Sequence, residues 1–199
     1  MPIQENKSDF TEELQKQHKM KNPITQKIQI PEGITCQYKD EVLTCKKDSA
    51  ELSKKIRIPE VELKIQGQEI SLDCKKGNKL HYKKIMTNIA HIKNMFHGLE
   101  EKYIYELEAV NVHFPMAIKS EGQILTINNF LGEKVPRKAT ILPNVDVEVK
   151  GQKITVSSHD KEAAGQTAAN LEKAAKLKGR DRRIFQDGIY ITNKPRRQT

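Results

Sequence analysis

Nine of the last 27 residues are basic: Lys173, Lys176, Lys178, Arg180, Arg182, Arg183, Lys194, Arg196 and Arg197. Only Asp181 and Asp187 oppose them, so this segment carries a net +7 in a chain whose total is +9 at pH 7. Side chains of this kind neutralise phosphates and release the counterions around them. The segment is not a plain soluble tail, because Ile184-Phe185-Gln186-Asp187-Gly188-Ile189-Tyr190-Ile191 in its middle reads as strand, Asp-Gly turn, strand. Cations held on a folded edge point to a polyanion, with nucleic acid the first candidate. A second group is the loop Asn128-Asn129-Phe130-Leu131-Gly132-Glu133-Lys134-Val135-Pro136-Arg137-Lys138. Its amides and backbone N–H groups can fix register while Lys134, Arg137 and Lys138 neutralise phosphates. Together with Lys176 to Arg183 it is expected to form one basic surface. Phe185 and Tyr190 are read as core, with stacking on unpaired bases as their other use.

Catalytic chemistry has no comparable support. The chain holds no phosphate-binding loop ending in Gly-Lys-Ser/Thr, no Gly-x-Gly-x-x-Gly, no His-Glu-x-x-His and no Gly-x-Ser-x-Gly. His91 and His97 are six apart and do not share a helix face as i, i+4 metal ligands would. Acidic residues interleave with lysines, as in Glu62-x-Lys64 and Glu148-x-Lys150, which marks a solvated sheet face. The reading is a non-enzyme with no metal and no cofactor. Cys36, Cys45 and Cys74 are odd in number and lack Cys-x-x-Cys spacing, so they are expected as free thiols in a reducing compartment. No stretch approaches the ~18 apolar residues of a membrane span, and Met1 to Pro23 lacks a signal-peptide apolar region. A cytoplasmic protein with no membrane partner is expected.

The elements that must hold these groups are written twice. Val61 to Leu72 and Val145 to Val156 match in character position for position, each an alternating strand, a Gly turn and a second alternating strand. Pro59 and Pro143 precede them, and Val42-Leu43-Thr44 upstream corresponds to Ile124-Leu125-Thr126. A helix follows each hairpin: Ile85, Ile89, Ile92 and Phe96 share their spacing with Ala164, Ala168, Leu171 and Ala175. Asn78 and Asp160 are expected as N-caps and Gly98 and Gly179 as stops, with Lys173, Lys176 and Lys178 in the last turns of the second helix. The short strand Tyr103-Ile104-Tyr105 is matched with Ile189-Tyr190-Ile191. The predicted fold is α+β, two tandem copies of a mostly antiparallel sheet covered by one helix. Its parts are a polar N-terminal tail (1–23), a first repeat (24–110), a second repeat (111–192) and a basic C-terminal tail (193–199). With 36% hydrophobic residues and no Trp, two modest cores suit the composition better than one deep core.

The run from Lys178 to Ile191 resembles the C-terminal signature of the large-subunit ribosomal protein family numbered six in bacteria and nine in eukaryotes. Arg183, Phe185, Asp187, Gly188 and the hydrophobic-Tyr-hydrophobic strand Ile189 to Ile191 carry the likeness. His113-Phe114-Pro115 and Asn129 to Lys134 resemble the archaeal and eukaryotic branch. The resemblance implies a duplicated α+β fold and a structural protein of the large ribosomal subunit that supports translation. It implies binding of large-subunit rRNA near the sarcin-ricin region, beside the site of translational GTPases, with other large-subunit proteins as neighbours. The rRNA-binding candidates it implies are Lys134, Arg137, Lys138, Lys178, Arg180, Arg182, Arg183 and Lys194. Lys176 joins them as part of the basic cluster, and Arg196 and Arg197 on charge alone. The glycine- and proline-containing loop common in the family's first copy is absent from Lys46 to Leu52. A rival reading is a free-standing protein-interaction module whose duplicated sheets add a peptide strand at an exposed edge. The closing contrast is of charge: Glu100, Glu101, Glu106 and Glu108 end the first copy where the second copy is basic, which assigns RNA binding mainly to the second.

Overall fold

The computed structural model of the protein describes residues 22–48, 50–181 and 183–195. The N-terminal tail up to residue 21, Arg182, Arg196 and Arg197 lie outside the described residues. Two compact units are present, residues 1–44 with 53–91 and residues 45–52 with 92–199.

Along the first half run β1 (Asn22–Gln29), β2 (Thr35–Lys39), β3 (Val42–Lys47), β4 (Ala50–Lys55), β5 (Glu62–Gln66), β6 (Glu69–Gly77) and α1 (Lys79–Glu100). One sheet has the order β1-β6-β5 and a second β2-β3-β4. The β5–β6 hairpin closes with Gln66 opposite Glu69. Its turn needs the positive φ of Gly67 (+61°), which glycine adopts without a Cβ clash. Ile70, Leu72 and Cys74 alternate into the interior on β6, and Ile28 lies opposite Ile70 on β1. The stripe expected on the helix holds, with Ile85, Ile89, Ile92 and Phe96 all buried. Asn78 caps α1, its Oδ1 accepting from His81 N at 2.9 Å.

The second half continues with β7 (Tyr103–Val110), β8 (Ala117–Glu121), β9 (Ile124–Asn128), β10 (Arg137–Thr140), β11 (Asp146–Lys150), β12 (Lys153–Ser158), α2 (Lys161–Ala174) and β13 (Gly188–Asn193). The sheets have the orders β11-β12-β7-β13 and β10-β9-β8. Helix α2 packs against β7, β10, β12 and β13. Ala164, Ala168, Leu171 and Ala175 are buried in a core with Leu107, Leu125, Ile127, Ile154 and Ile189. Small residues bring the helix near its sheet: a Cβ on Gly165 would lie 2.9 Å from the Tyr105 hydroxyl. Asp160 is the N-cap, accepting from Glu162 N at 2.9 Å.

The duplicated hairpins and the central strands β3 and β9 stand as the repeat predicts, but two equivalences change. The order β1-β6-β5 matches β7-β12-β11 strand for strand, so Tyr103–Val110 is the counterpart of Asn22–Gln29. It does not correspond to Ile189–Ile191, which belong to β13, a fourth strand added beyond β7. The charge contrast therefore fails, since Glu106 and Glu108 sit on β7 opposite Asn193 and Tyr190. For the same reason the compact units divide the chain differently from a boundary at residue 110, because β7 is an inner strand of the second unit's sheet.

Neither expected glycine stop ends its helix. α1 runs past Gly98 to Glu100, and α2 ends at Ala174, which leaves Lys176 and Lys178 beyond it and Lys173 in its last turn. Gly98 is a packing residue, because a Cβ there would overlap the His159 carbonyl oxygen. The same approach lets His159 Nδ1 reach Gly98 O at 2.6 Å. Alanine ordinarily stabilises a helix interior by about 1 kcal/mol over glycine. Gly98→Ala is expected to reverse that sign and lower the thermal midpoint, measured by circular dichroism; an unchanged or raised midpoint would show that the contact is not constraining.

Candidate nucleic-acid interface

Between β9 and β10 the chain makes a tight turn over Phe130–Gly132. Asn129 (φ 58°) and Leu131 (φ 49°) both take left-handed backbone there. Asn129 tolerates that region better than most residues, and its Nδ2 donates to Pro115 O at 3.0 Å. The turn drives Phe130 into the core at 1% exposure. Arg137 lies over that ring, its guanidinium carbon 4.1 Å from the centroid.

Four of the five N–H donors of the Arg137 guanidinium are engaged by protein. Its Nε and Nη2 donate to the two carboxylate oxygens of Glu133 at 2.8 and 2.6 Å. Its Nη1 donates to the carbonyls of Ala174 and Lys176 at 3.0 Å each. Those carbonyls lie at the C-terminal end of α2, where the unpaired acceptors and the negative pole favour a cation. The hydrogen bond from Arg137 holds the Glu133 carboxyl below its usual range; slight burial opposes this, and the charges of Arg137 and Arg180 add to the lowering. Arg137 thus clasps the β9–β10 loop to the end of α2, and the field of Arg180 reaches the same carboxylate.

Beyond α2, Leu177 is buried while Lys176 and Lys178 project outward. Asp181 then organises a turn. Its carbonyl accepts from Ile184 N and Phe185 N at 3.2 and 2.9 Å, and its Oδ1 accepts from Arg183 N at 3.0 Å. The guanidinium of Arg180 stands 4.8 Å above the Phe185 ring, and that ring stacks on His113 at 5.2 Å. Residues 184–187 are not a strand, and Asp187 does not form a hairpin turn. With 1% exposure, Asp187 accepts from Val112 N (2.8 Å), His113 N (3.2 Å) and the His113 ring Nδ1 (2.7 Å). A turn aspartate would face water; this one ties the segment before β13 to the segment after β7.

Near the Arg137 clasp in the chain stand the exposed Lys134, Lys176, Lys178, Arg180 and Arg183, whereas Lys138, also exposed, lies on the opposite face of β10, since Arg137 and Ala139 pair with the buried Ile127 and Leu125. Lys194 is not with them. It follows the far end of β13, about 17 Å along the strand at ~3.3 Å per residue. Its neighbour Pro195 borders a separate cleft with His97, Glu100, Glu101 and Lys102. Arg182, Arg196 and Arg197 are outside the described residues. Two further residues belong to the region. A cleft of about 400 Å³ between the end of α2 and β13 is lined by Lys173, Lys176, Leu177 and Tyr190 among others. Tyr190 is not core. Its side chain is exposed at 40%, between buried Ile189 and half-buried Ile191, and its hydroxyl donates to Gln186 O at 3.1 Å. Strand alternation was the signal available for it, since the neighbours of an inward Ile must point outward. Phe185 is half-buried beneath Arg180. Among the described residues no helix is long and apolar enough to cross a membrane.

Comparison with known sequences adds an independent finding. The family described as Ribosomal protein L6 matches residues 114–188. The large ribosomal subunit protein uL6 of Haloarcula marismortui is 38% identical over 170 residues, 85% of this chain and 96% of its own length. That of Methanocella arvoryzae is 39% identical, covering 84% of this chain and 95% of its own. That of Methanosarcina mazei is 39% identical, covering 88% and 99%.

Proposed function

This chain belongs to the uL6 family of large ribosomal subunit proteins, and from that premise we propose that the clasped basic surface of the second unit is its rRNA-binding face. The role is structural, not enzymatic, within the large subunit of the cytoplasmic ribosome. The observation that carries the reading is the Arg137 clasp, which ties the loop carrying Lys134 to the end of α2, from which the exposed Lys176, Lys178, Arg180 and Arg183 follow. Preset cations on a rigid support match a folded RNA surface with little ordering cost, and phosphate neutralisation supplies the affinity. Arg137 positions the loop, because four of its five N–H donors are already taken by Glu133 and the carbonyls of Ala174 and Lys176. Tyr190 beside Lys173 and Lys176 offers a stacking plane for an unpaired base. The resemblance of Lys178 to Ile191 to the family's C-terminal signature supports the region near the sarcin-ricin loop as the RNA element, with translational GTPases and other large-subunit proteins as the proposed neighbours.

Arg180→Glu with Arg183→Glu tests this. Affinity for large-subunit rRNA is expected to fall about tenfold or more, and the slope of log affinity against log salt by about 1.5–2. The circular dichroism melt should shift only slightly, by what an exposed Arg180–Phe185 contact of about 0.5–1 kcal/mol contributes. Full incorporation of the variant into large subunits, with wild-type rRNA affinity, would remove the assignment. Protection mapping on isolated subunits tests the RNA element: a footprint away from the sarcin-ricin region counts against it.

A further inference from the structure

The first unit holds a cationic surface outside the interface described above. From Lys75 to His91 there is no acidic residue, while Lys75, Lys76, Lys79, Lys83 and Lys84 fall within that stretch. On α1, Lys79, Tyr82, Lys83 and Met86 fall at i, i+3, i+4 and i+7, so they form one stripe. The stripe borders the buried side that carries Ile85 and Ile89, with Tyr82 and Met86 nearest that side and Lys79 and Lys83 farther round the helix. All four residues are exposed, Tyr82 at 47% and Met86 at 40%, and Leu80 on its flank is exposed at 56%. Elsewhere in the same unit lysines find carboxylates, as in Lys27–Glu69 at 3.3 Å and Lys64–Glu62 at 3.0 Å. Among the described residues, no ion pair engages Lys76, Lys79, Lys83 or Lys84.

This placement works against the helix. The positive pole of α1 favours carboxylates in its first turn, yet that turn has none, and lysines occupy its beginning. Asn78 caps this end and Glu60 lies 3.8 Å from His81, but among the described residues no carboxylate pairs with Lys79, Lys83 or Lys84, which leaves their charge for something outside the fold. The neutral members of the stripe narrow the partner. A solvated face would carry mixed charge, and a plain phosphate site would not expose a tyrosine and a methionine between its lysines. Phosphates for the cations and a base for the ring are supplied together by an unpaired RNA strand.

We infer that the Lys79-Tyr82-Lys83-Met86 stripe of α1, with Lys76 and Lys84 beside it, is a second RNA-binding surface that takes an unpaired strand. The inference rests on the reading of this chain as an rRNA-binding protein and adds a separate contact in the first unit. Its test uses the full chain carrying Arg180→Glu and Arg183→Glu, so that binding by the second unit is suppressed, and a fluorescein-labelled single-stranded oligoadenylate followed by anisotropy. Adding Lys79→Gln, Lys83→Gln and Lys84→Gln is expected to weaken binding about tenfold and to reduce the salt slope by about 2. Adding only Tyr82→Ala is expected to weaken binding about fivefold at an unchanged slope, because stacking releases no counterions. The thermal midpoint of the triple Gln variant should stay level or rise, since cations leave the positive pole of the helix. Unchanged affinity in both variants overturns the inference. So does equal binding of poly-L-glutamate that ignores Tyr82→Ala, which would make the stripe an acidic-polypeptide site. If the stripe variants lose binding in the wild-type background while Arg180→Glu/Arg183→Glu does not, the second-unit interface fails and the stripe stands.

Discussion

Replacing Asp187 with alanine is expected to destabilise the second unit by about 3 kcal/mol, and the loss should be measurable as a shift in the urea midpoint at pH 7. Three donors converge on this buried carboxylate: Val112 N, His113 N and the His113 ring Nδ1, the last at 2.7 Å. The carboxylate is acceptor-only, so Nδ1 carries the proton. Removing it strands backbone donors beside the core, which costs more than the bonds themselves contribute. Burial pushes the Asp187 carboxyl up, but the His113 hydrogen bond and the two backbone N–H groups outweigh it and hold it below its ordinary value of 3.8. The sign of the pH dependence follows. In the unfolded chain the group titrates near 3.8, so its contribution is complete above about pH 4 and is lost as pH falls through the lower folded value. Asp187→Asn should therefore be less stable than wild type at neutral pH, and the gap should narrow in acid. A gap constant from pH 7 to pH 2.5 would show that the charge of Asp187 adds nothing.

Arg137→Ala is expected to lower stability by about 2 kcal/mol and also to weaken RNA binding. One guanidinium joins Glu133, the Phe130 ring and the carbonyls of Ala174 and Lys176. Without it the β9–β10 loop loses its tie to the end of α2, and Lys134 loses its fixed position relative to Lys176 and Arg180. Lysine cannot reproduce a planar fork with four acceptors, so Arg137→Lys should recover little of the stability. The binding readout separates positioning from direct contact. A positioning residue weakens RNA affinity with little change in the salt slope, whereas a phosphate ligand reduces the slope by about 0.7–0.9. A full unit lost from the slope with an unchanged melt would return Arg137 to the phosphate-contact set.

The amino-acid sequence alone determined what is local. Gly67 and Gly151 between alternating strands specify two hairpins, because period-2 alternation and a positive-φ turn need only adjacent residues. The Ile85 to Phe96 and Ala164 to Ala175 stripes likewise specify two helices with one buried face each. Clustered charge located the basic region, and the Arg183 to Ile191 signature pointed to its family. What depends on distant pairing was decided only by the tertiary structure. Tyr103–Val110 reads locally like Ile189–Ile191, yet pairing with β12 makes it the counterpart of β1. Asp187-Gly188 has the composition of a turn, but donors about 75 positions earlier in the chain make Asp187 an internal tie. Arg137 reads as one more cation in a basic loop; its charge is taken up by Glu133 and by two helix-end carbonyls that no local pattern announces. Side-chain periodicity is a property of neighbours in the chain, whereas the partner of a strand, a carboxylate or a guanidinium is a property of packing. The basic C-terminal segment was legible as charge, and its conversion into a surface with a fixed shape belongs to the fold.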